Sequence, residues 1–117
     1  MRVAVLVVCA FTGLLAAPAR AHTRLLEATP ADGSTLRTAP RQLQLVFSEA
    51  VHVTALSIQA AGAAAPRKLA PLPRQPASKF AFDLPALAAG SYELRWRALS
   101  DDGHLASGSI RFTLRAP

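Results

Sequence analysis

Sulfur is nearly absent from this chain. Its 117 residues hold one cysteine and one methionine, Cys9 and Met1. A lone cysteine excludes a disulfide-stapled scaffold and any cysteine-based zinc site. Aromatic residues are scarce at 6%, with a single Trp and a single Tyr. Acids are also few, 7 against 13 basic residues, which gives a formal charge of +6. Long apolar runs are missing except for one near the start, Val3 to Ala17. That run is too short for a membrane span, which needs roughly 20 apolar residues. The length leaves room for one domain and excludes a two-domain dinucleotide-binding enzyme.

The apolar run has another reading. Met1-Arg2 is a short positive start, and Ala19-Arg20-Ala21 is a small-residue cleavage site. Together these form a secretory signal peptide. There is no twin arginine, so the general export route is expected. The expected organisation is a leader over 1–21 and one domain over 22–117. Cleavage would remove Met1, Cys9, Arg2 and Arg20. The remaining 11 basic residues against 7 acids give +4, on a chain with no sulfur at all. No later run reaches span length, so the cleaved chain is expected not to cross a membrane. Its arginines fall on outward strand faces without interleaved aromatics. That reads as a solvated face, with no nucleic-acid partner.

From His22 onward, apolar residues recur with period two. Leu43, Leu45 and Phe47 alternate with Gln42, Gln44 and Val46. Leu56 and Ile58 alternate with Ser57 and Gln59, and Phe80 and Phe82 precede Asp83. Tyr92, Leu94, Trp96 and Ala98 oppose Glu93, Arg95 and Arg97. Ile110, Phe112 and Leu114 oppose Arg111, Thr113 and Arg115. This pattern predicts half-buried antiparallel strands. Pro30-Ala31-Asp32-Gly33 predicts a turn with Pro at its first central position. Pro66, Pro71, Pro73 and Pro76 limit their stretch to a short edge strand. The expected class is an all-β sandwich or barrel.

Three histidines carry the chemistry. Cleavage after Ala21 would make His22 the N-terminal residue. It would then offer its α-amine and its imidazole Nδ1 to one metal. The amine, with a pKa of about 7.7–8, yields its proton to a metal near neutrality. Asp102-Gly103-His104 places an oxygen and an imidazole two residues apart, on one face if the chain stays extended. Three nitrogens and one carboxylate suit Cu(II) or Ni(II), and copper binds the more tightly. Cu(I) prefers sulfur, which the cleaved chain lacks. The other reading of His104 is a turn residue satisfied by backbone. His52, between Val51 and Val53, reads as a surface histidine, and Asp101 as a solvated turn residue.

The sequence resembles the CopC/PcoC family of periplasmic copper-resistance proteins. The resemblance rests on His22 after the cleavage site, Thr29-Pro30-Ala31-Asp32-Gly33-Ser34, Ala39-Pro40 and Leu45-Val46-Phe47-Ser48-Glu49. It continues through the run from Gly90 to Ser100, Asp102-Gly103-His104, and Gly108-Ser109-Ile110-Arg111-Phe112. It implies a small Greek-key β-barrel or sandwich of immunoglobulin-like form. It implies one Cu(II) per chain, held by His22, Asp102 and His104, with Glu49 as a weak ligand or an outer partner. It implies a periplasmic monomer that sequesters copper or delivers it, without catalysis, to a CopD-type inner-membrane importer. Some members carry a Met-rich segment that binds Cu(I). The corresponding residues here, about 60–78, contain no Met, so that second site is expected to be absent.

Two other functions fit parts of the sequence. A histidine-brace copper monooxygenase also uses an N-terminal His and a second His. It needs an open coordination position and a platform for its polymer, and this chain lacks an aromatic surface for one. A metal-free β-sandwich used in adhesion or assembly fits the strands and leaves the histidines without a role.

Overall fold

Alternating apolar residues build almost everything that the computed structural model describes, which is Ala4, Gly13 and residues 23–116. The rest of the expected leader and His22 itself lie outside the described residues. Seven strands follow in order: β1 (Leu25–Thr29), β2 (Ser34–Leu36), β3 (Gln42–Ala60), β4 (Arg67–Lys68), β5 (Ala77–Asp83), β6 (Gly90–Ser100) and β7 (Leu105–Leu114). The class is all-β, as the periodicity predicts. No helix among the described residues is long and apolar enough to cross a membrane.

The sheet runs β1-β3-β6-β7-β2, with β4 and β5 also paired to β3. β3 is its spine. The sequence suggests two strands here, over 42–49 and 54–60, but Ala50–Val53 stays extended and joins them. The first half of β3 pairs antiparallel with β1 and β5. The second half pairs antiparallel with β4 and β6. Register shifts between Val46 and Val51 and between Val53 and Ala55 mark where the strand bends. Bulges of this kind bend a strand and increase its twist. The two halves of the sheet thus fold over one another.

The core fills the fold. Leu43, Leu45, Leu94 and Ala98 are fully buried, and Phe47, Ile110 and Phe112 nearly so. Phe47 meets Trp96 edge-on at 5.1 Å and Phe80 at 6.1 Å between ring centroids. Phe47 stands on the first half of β3, and Trp96 on β6 faces the second half. Their contact therefore ties the two sides of the curl. T-shaped aromatic pairs of this kind add about 0.5–1.5 kcal/mol beyond area burial.

The turn after β1 differs slightly from expectation. Its hydrogen bond runs from Ser34 N to Ala31 O at 3.1 Å, so Asp32-Gly33 take the central positions in place of Pro30-Ala31. Gly33, with φ of 78°, supplies the left-handed backbone. Asp32 Oδ1 accepts from Arg111 N at 2.8 Å and fastens the turn to β7. The Pro-rich stretch holds only the two-residue β4, as its prolines require.

Candidate metal centre

The β6–β7 hairpin closes through three residues, Asp101-Asp102-Gly103. Ser100 N donates to His104 O at 2.9 Å, and Gly103 N donates to Ser100 O at 3.0 Å. Gly103 has φ of 84°. A tight turn followed by one left-handed residue is a common three-residue hairpin, and glycine is the residue suited to that last position.

This turn brings Asp102 and His104 together. Asp102 Oδ2 and His104 Nδ1 stand 3.0 Å apart. The route differs from the one the sequence suggests. An extended chain would align the two through i, i+2 parity, but parity ends at Ser100. Ser100 is still buried at 4% exposure, while the Asp102 and His104 side chains are 57% and 83% exposed. The turn, and not a continuing strand, makes the pair.

Ser100 orders the tip, a role that sequence reasoning missed. Its hydroxyl donates to Asp102 Oδ1. His104 N lies 3.3 Å from the same hydroxyl oxygen. The available signal was a serine at the last core-facing position of a strand, where a polar group needs a partner. The Ser100 hydrogen bond, with His104 assisting, holds the Asp102 carboxyl below the ordinary carboxylate range. Asp102 is therefore an anion at neutral pH. Its Oδ1 accepts from Ser100 and, at 3.4 Å, from His104 N, while Oδ2 meets only His104 Nδ1 and keeps a second lone pair. With Nδ1 turned to Asp102, Nε2 is the His104 nitrogen open to an ion. A carboxylate that fixes an imidazole in this way also raises its basicity as a ligand.

The start of the described chain lies against the middle of β3. Ser48 N donates to Arg24 O at 2.8 Å, and Arg24 N donates to Ser48 Oγ at 2.9 Å. Thr23 Oγ1 donates to Glu49 Oε1. Glu49 in turn lies two residues before Val51, which pairs with Ser100. That is about 7 Å along the strand and about 5 Å across it. Thr23, Glu49 and the hairpin tip thus share one end of the molecule.

Among the described residues, no three His, Cys, Asp or Glu side chains gather as a metal cluster. Asp102 and His104 supply two donors, and Glu49 stands nearby without joining them. His52 is half-buried between the buried Val51 and Val53 and opposite Leu99, which fits the expected surface position. Asp101 is exposed in the turn. A cavity of about 460 Å³ lies at the other end of β6 around Tyr92 and Phe112, and none of these donors lines it. We give it no part in this site, because its lining offers no comparable ligand set.

Comparison with known proteins fits this architecture. The CopC domain family matches residues 25–115. Copper resistance protein C of Pseudomonas syringae pv. tomato is 30% identical over 121 residues, 87% of each chain. Its namesake from Xanthomonas campestris pv. juglandis is 31% identical, over 97% of this chain and 95% of that one. The crystal structure of CopC from Methylosinus trichosporium OB3b superposes with a TM-score of 0.65 at 26% identity, over 81% of this chain and 95% of that one. PcoC of Escherichia coli, described as a methionine-rich copper resistance protein, superposes with a TM-score of 0.57 at 29% identity, over 81% of this chain and 100% of that one. With an all-β curled sheet, a match from β1 to past the end of β7, and relatives of this kind, the monooxygenase reading gives way: the chain belongs to the CopC family of copper resistance proteins, which are not enzymes.

Proposed function

We propose that this chain is a periplasmic Cu(II)-binding protein that sequesters copper or delivers it. In this reading residues 1–21 are removed on export and 22–117 form the working domain. One Cu(II) is held by the His22 amine and imidazole, by Asp102 and by His104, the Asp102–His104 hydrogen bond giving way so that both residues turn to the ion. Glu49 stands beside the site as a weak ligand or an outer partner. The observation that carries this reading is the Asp102–His104 pair, 3.0 Å apart and braced by Ser100. The entry of the chain at Thr23, against Glu49 on the same end, supports His22 as the third residue.

The donor chemistry supports Cu(II) over Cu(I). Imidazole, amine and carboxylate suit the divalent ion, and soft sulfur suits the monovalent one. A relative described as methionine-rich makes the contrast plain, since the only Met of this chain is Met1. We therefore assign a single Cu(II) site and no Cu(I) site. The cleaved protein works as a monomer and passes its ion to a separate inner-membrane importer of the CopD type.

The test is a Cu(II) titration of the exported protein followed by EPR. Intact mass first establishes whether His22 is the N-terminus. One equivalent bound per chain, with nitrogen-rich parameters, is expected. No copper bound by the cleaved protein would refute the assignment.

A further inference from the structure

The face of the sheet turned away from the core carries a second pattern. Register lines its side chains into rows across β3, β6 and β7. Nearest the hairpin tip is His52–Leu99–Leu105. The next row is Ala55–Arg97–Ser107. Then comes Ser57–Arg95–Ser109, extended by Lys68 of β4 opposite Ser57. The last is Gln59–Glu93–Arg111. Directly opposed residues project from the same face. The four rows therefore hold Lys68, Arg95, Arg97 and Arg111 against Glu93 alone, a formal +3 over a floor of Ser and Ala. A depression of about 440 Å³ lies among Arg95, Arg97, Ser107 and Ser109.

Glu93 prepares this face and does not cancel it. Arg95 Nε donates to Glu93 Oε1 at 2.5 Å, and Arg111 Nε donates to Oε2 at 3.1 Å. Both carboxylate oxygens are thus used on Nε atoms. Among the described residues the Nη ends of both guanidiniums take no hydrogen-bond partner, and the two side chains are 63% and 74% exposed. A guanidinium bonds a carboxylate best through such a free fork. Arg97 makes no ion pair among the described residues. At the tip end, Leu105 is 66% exposed, and it directly follows His104.

We propose that this face docks an acidic segment of a partner protein, with the apolar end of that segment covering Leu105 beside the Asp102–His104 pair. The occupant follows from the charge and the relief. Open guanidinium forks flank a recess, and an extended chain bearing carboxylates fills a recess. A flat lipid surface would instead meet protruding groups, and this face offers it one leucine. That the segment belongs to the protein which exchanges copper with this one rests on the copper reading given above. The docking surface itself does not.

The probe is a fluorescein-labelled peptide of Asp-Glu repeats ending in Leu, followed by anisotropy at low salt. Binding is expected, and Arg95→Gln with Arg97→Gln should weaken it about tenfold, because charge pairs on open rims govern such encounters. Arg41→Gln with Arg74→Gln, exposed and off this face, should leave it unchanged. Equal weakening by both pairs of changes would overturn the proposal. So would binding to phosphatidylglycerol vesicles without binding to the peptide. A Cu(II) titration of each variant separates the two readings. Peptide binding at this face without copper binding would keep the docking surface and remove the copper reading. Copper binding without peptide binding would do the reverse.

Discussion

Two glycines of the β6–β7 hairpin hold their places for opposite reasons. Gly108 sits opposite Trp96 in mid-hairpin. A Cβ there would meet the indole at 2.7 Å, so the ring lies directly on the glycine backbone. Gly103 sits at the tip, where a Cβ would meet nothing within 4 Å. It is required by its φ of 84°. One glycine makes room for packing and the other makes a turn. The middle of the hairpin is built on contact, with Trp96 6% exposed. The tip is built on hydrogen bonds from one buried serine, and its functional groups stand in solvent. Stability and chemistry are therefore separable along a single hairpin.

That separation is open to attack from both sides. The largest effect is expected from His104→Ala, which removes a proposed ligand and touches no core residue. Copper affinity should fall by at least about 100-fold, since even partners that only orient a ligand are worth 10–100-fold. The melting temperature without metal should hardly move. Competition titration and a thermal melt check the two halves of the statement, and a large drop in melting temperature would erase the distinction. The converse change is Gly108→Val. Overpacking against Trp96 should cost roughly 2–3 kcal/mol in urea unfolding, while the folded fraction still binds its copper.

Two smaller effects sharpen the boundary. Ser100→Ala removes the hydroxyl that orders Asp102. It should weaken copper binding about tenfold and cost about 1 kcal/mol of stability, since Ser100 belongs to both regions. Stability lost with no change in copper affinity would return Ser100 to the core alone. The smallest effect is expected from Glu93→Gln, which should lower stability slightly at neutral pH and converge with the native protein in acid. Its hydrogen bonds to Arg95 and then Arg111 hold the Glu93 carboxyl below its ordinary value. A lowered folded value means stability that is full above the unfolded pKa, about 4.3, and lost as pH falls through the folded one. The variant should lack that step. Melting temperatures of both proteins from about pH 6 to about pH 2, below the ordinary glutamate value, would reveal it.

The sequence made the middle of the molecule legible and the ends less so. Strict alternation at Leu43–Leu45–Phe47 and at Leu94–Trp96–Ala98 marks a buried face, and those residues are the core. β1 does not alternate. Its register shifts between Leu25 and Glu27, and Leu26 stands 59% exposed, so period two finds no grip there. β2 is three residues long and pairs in parallel with β7, a long-range partnership with no local signature. The continuity of β3 was hidden by Ala50 and His52, which interrupt the apolar rhythm without breaking the strand. At the tip, the residue types were legible from the Asp102-Gly103-His104 motif. Their geometry was not, because one left-handed glycine replaces strand parity with turn geometry. The proposed third member of the set, His22, is legible from the sequence alone, as the residue after a cleavage site.

The measurement that bears most directly on the account is therefore made at that residue. A protein prepared to begin at His22, the proposed mature N-terminus, is compared with a version carrying one extra residue before it. Both are titrated with Cu(II) and followed by EPR. The extension keeps the imidazole and every residue of the fold, and it converts the α-amine into an amide. The account predicts one nitrogen-rich Cu(II) on the native form, and loss or sharp weakening of that signal on the extended one. Equal binding by the two forms would contradict it, for the amine would then be no ligand and the N-terminal site would not exist.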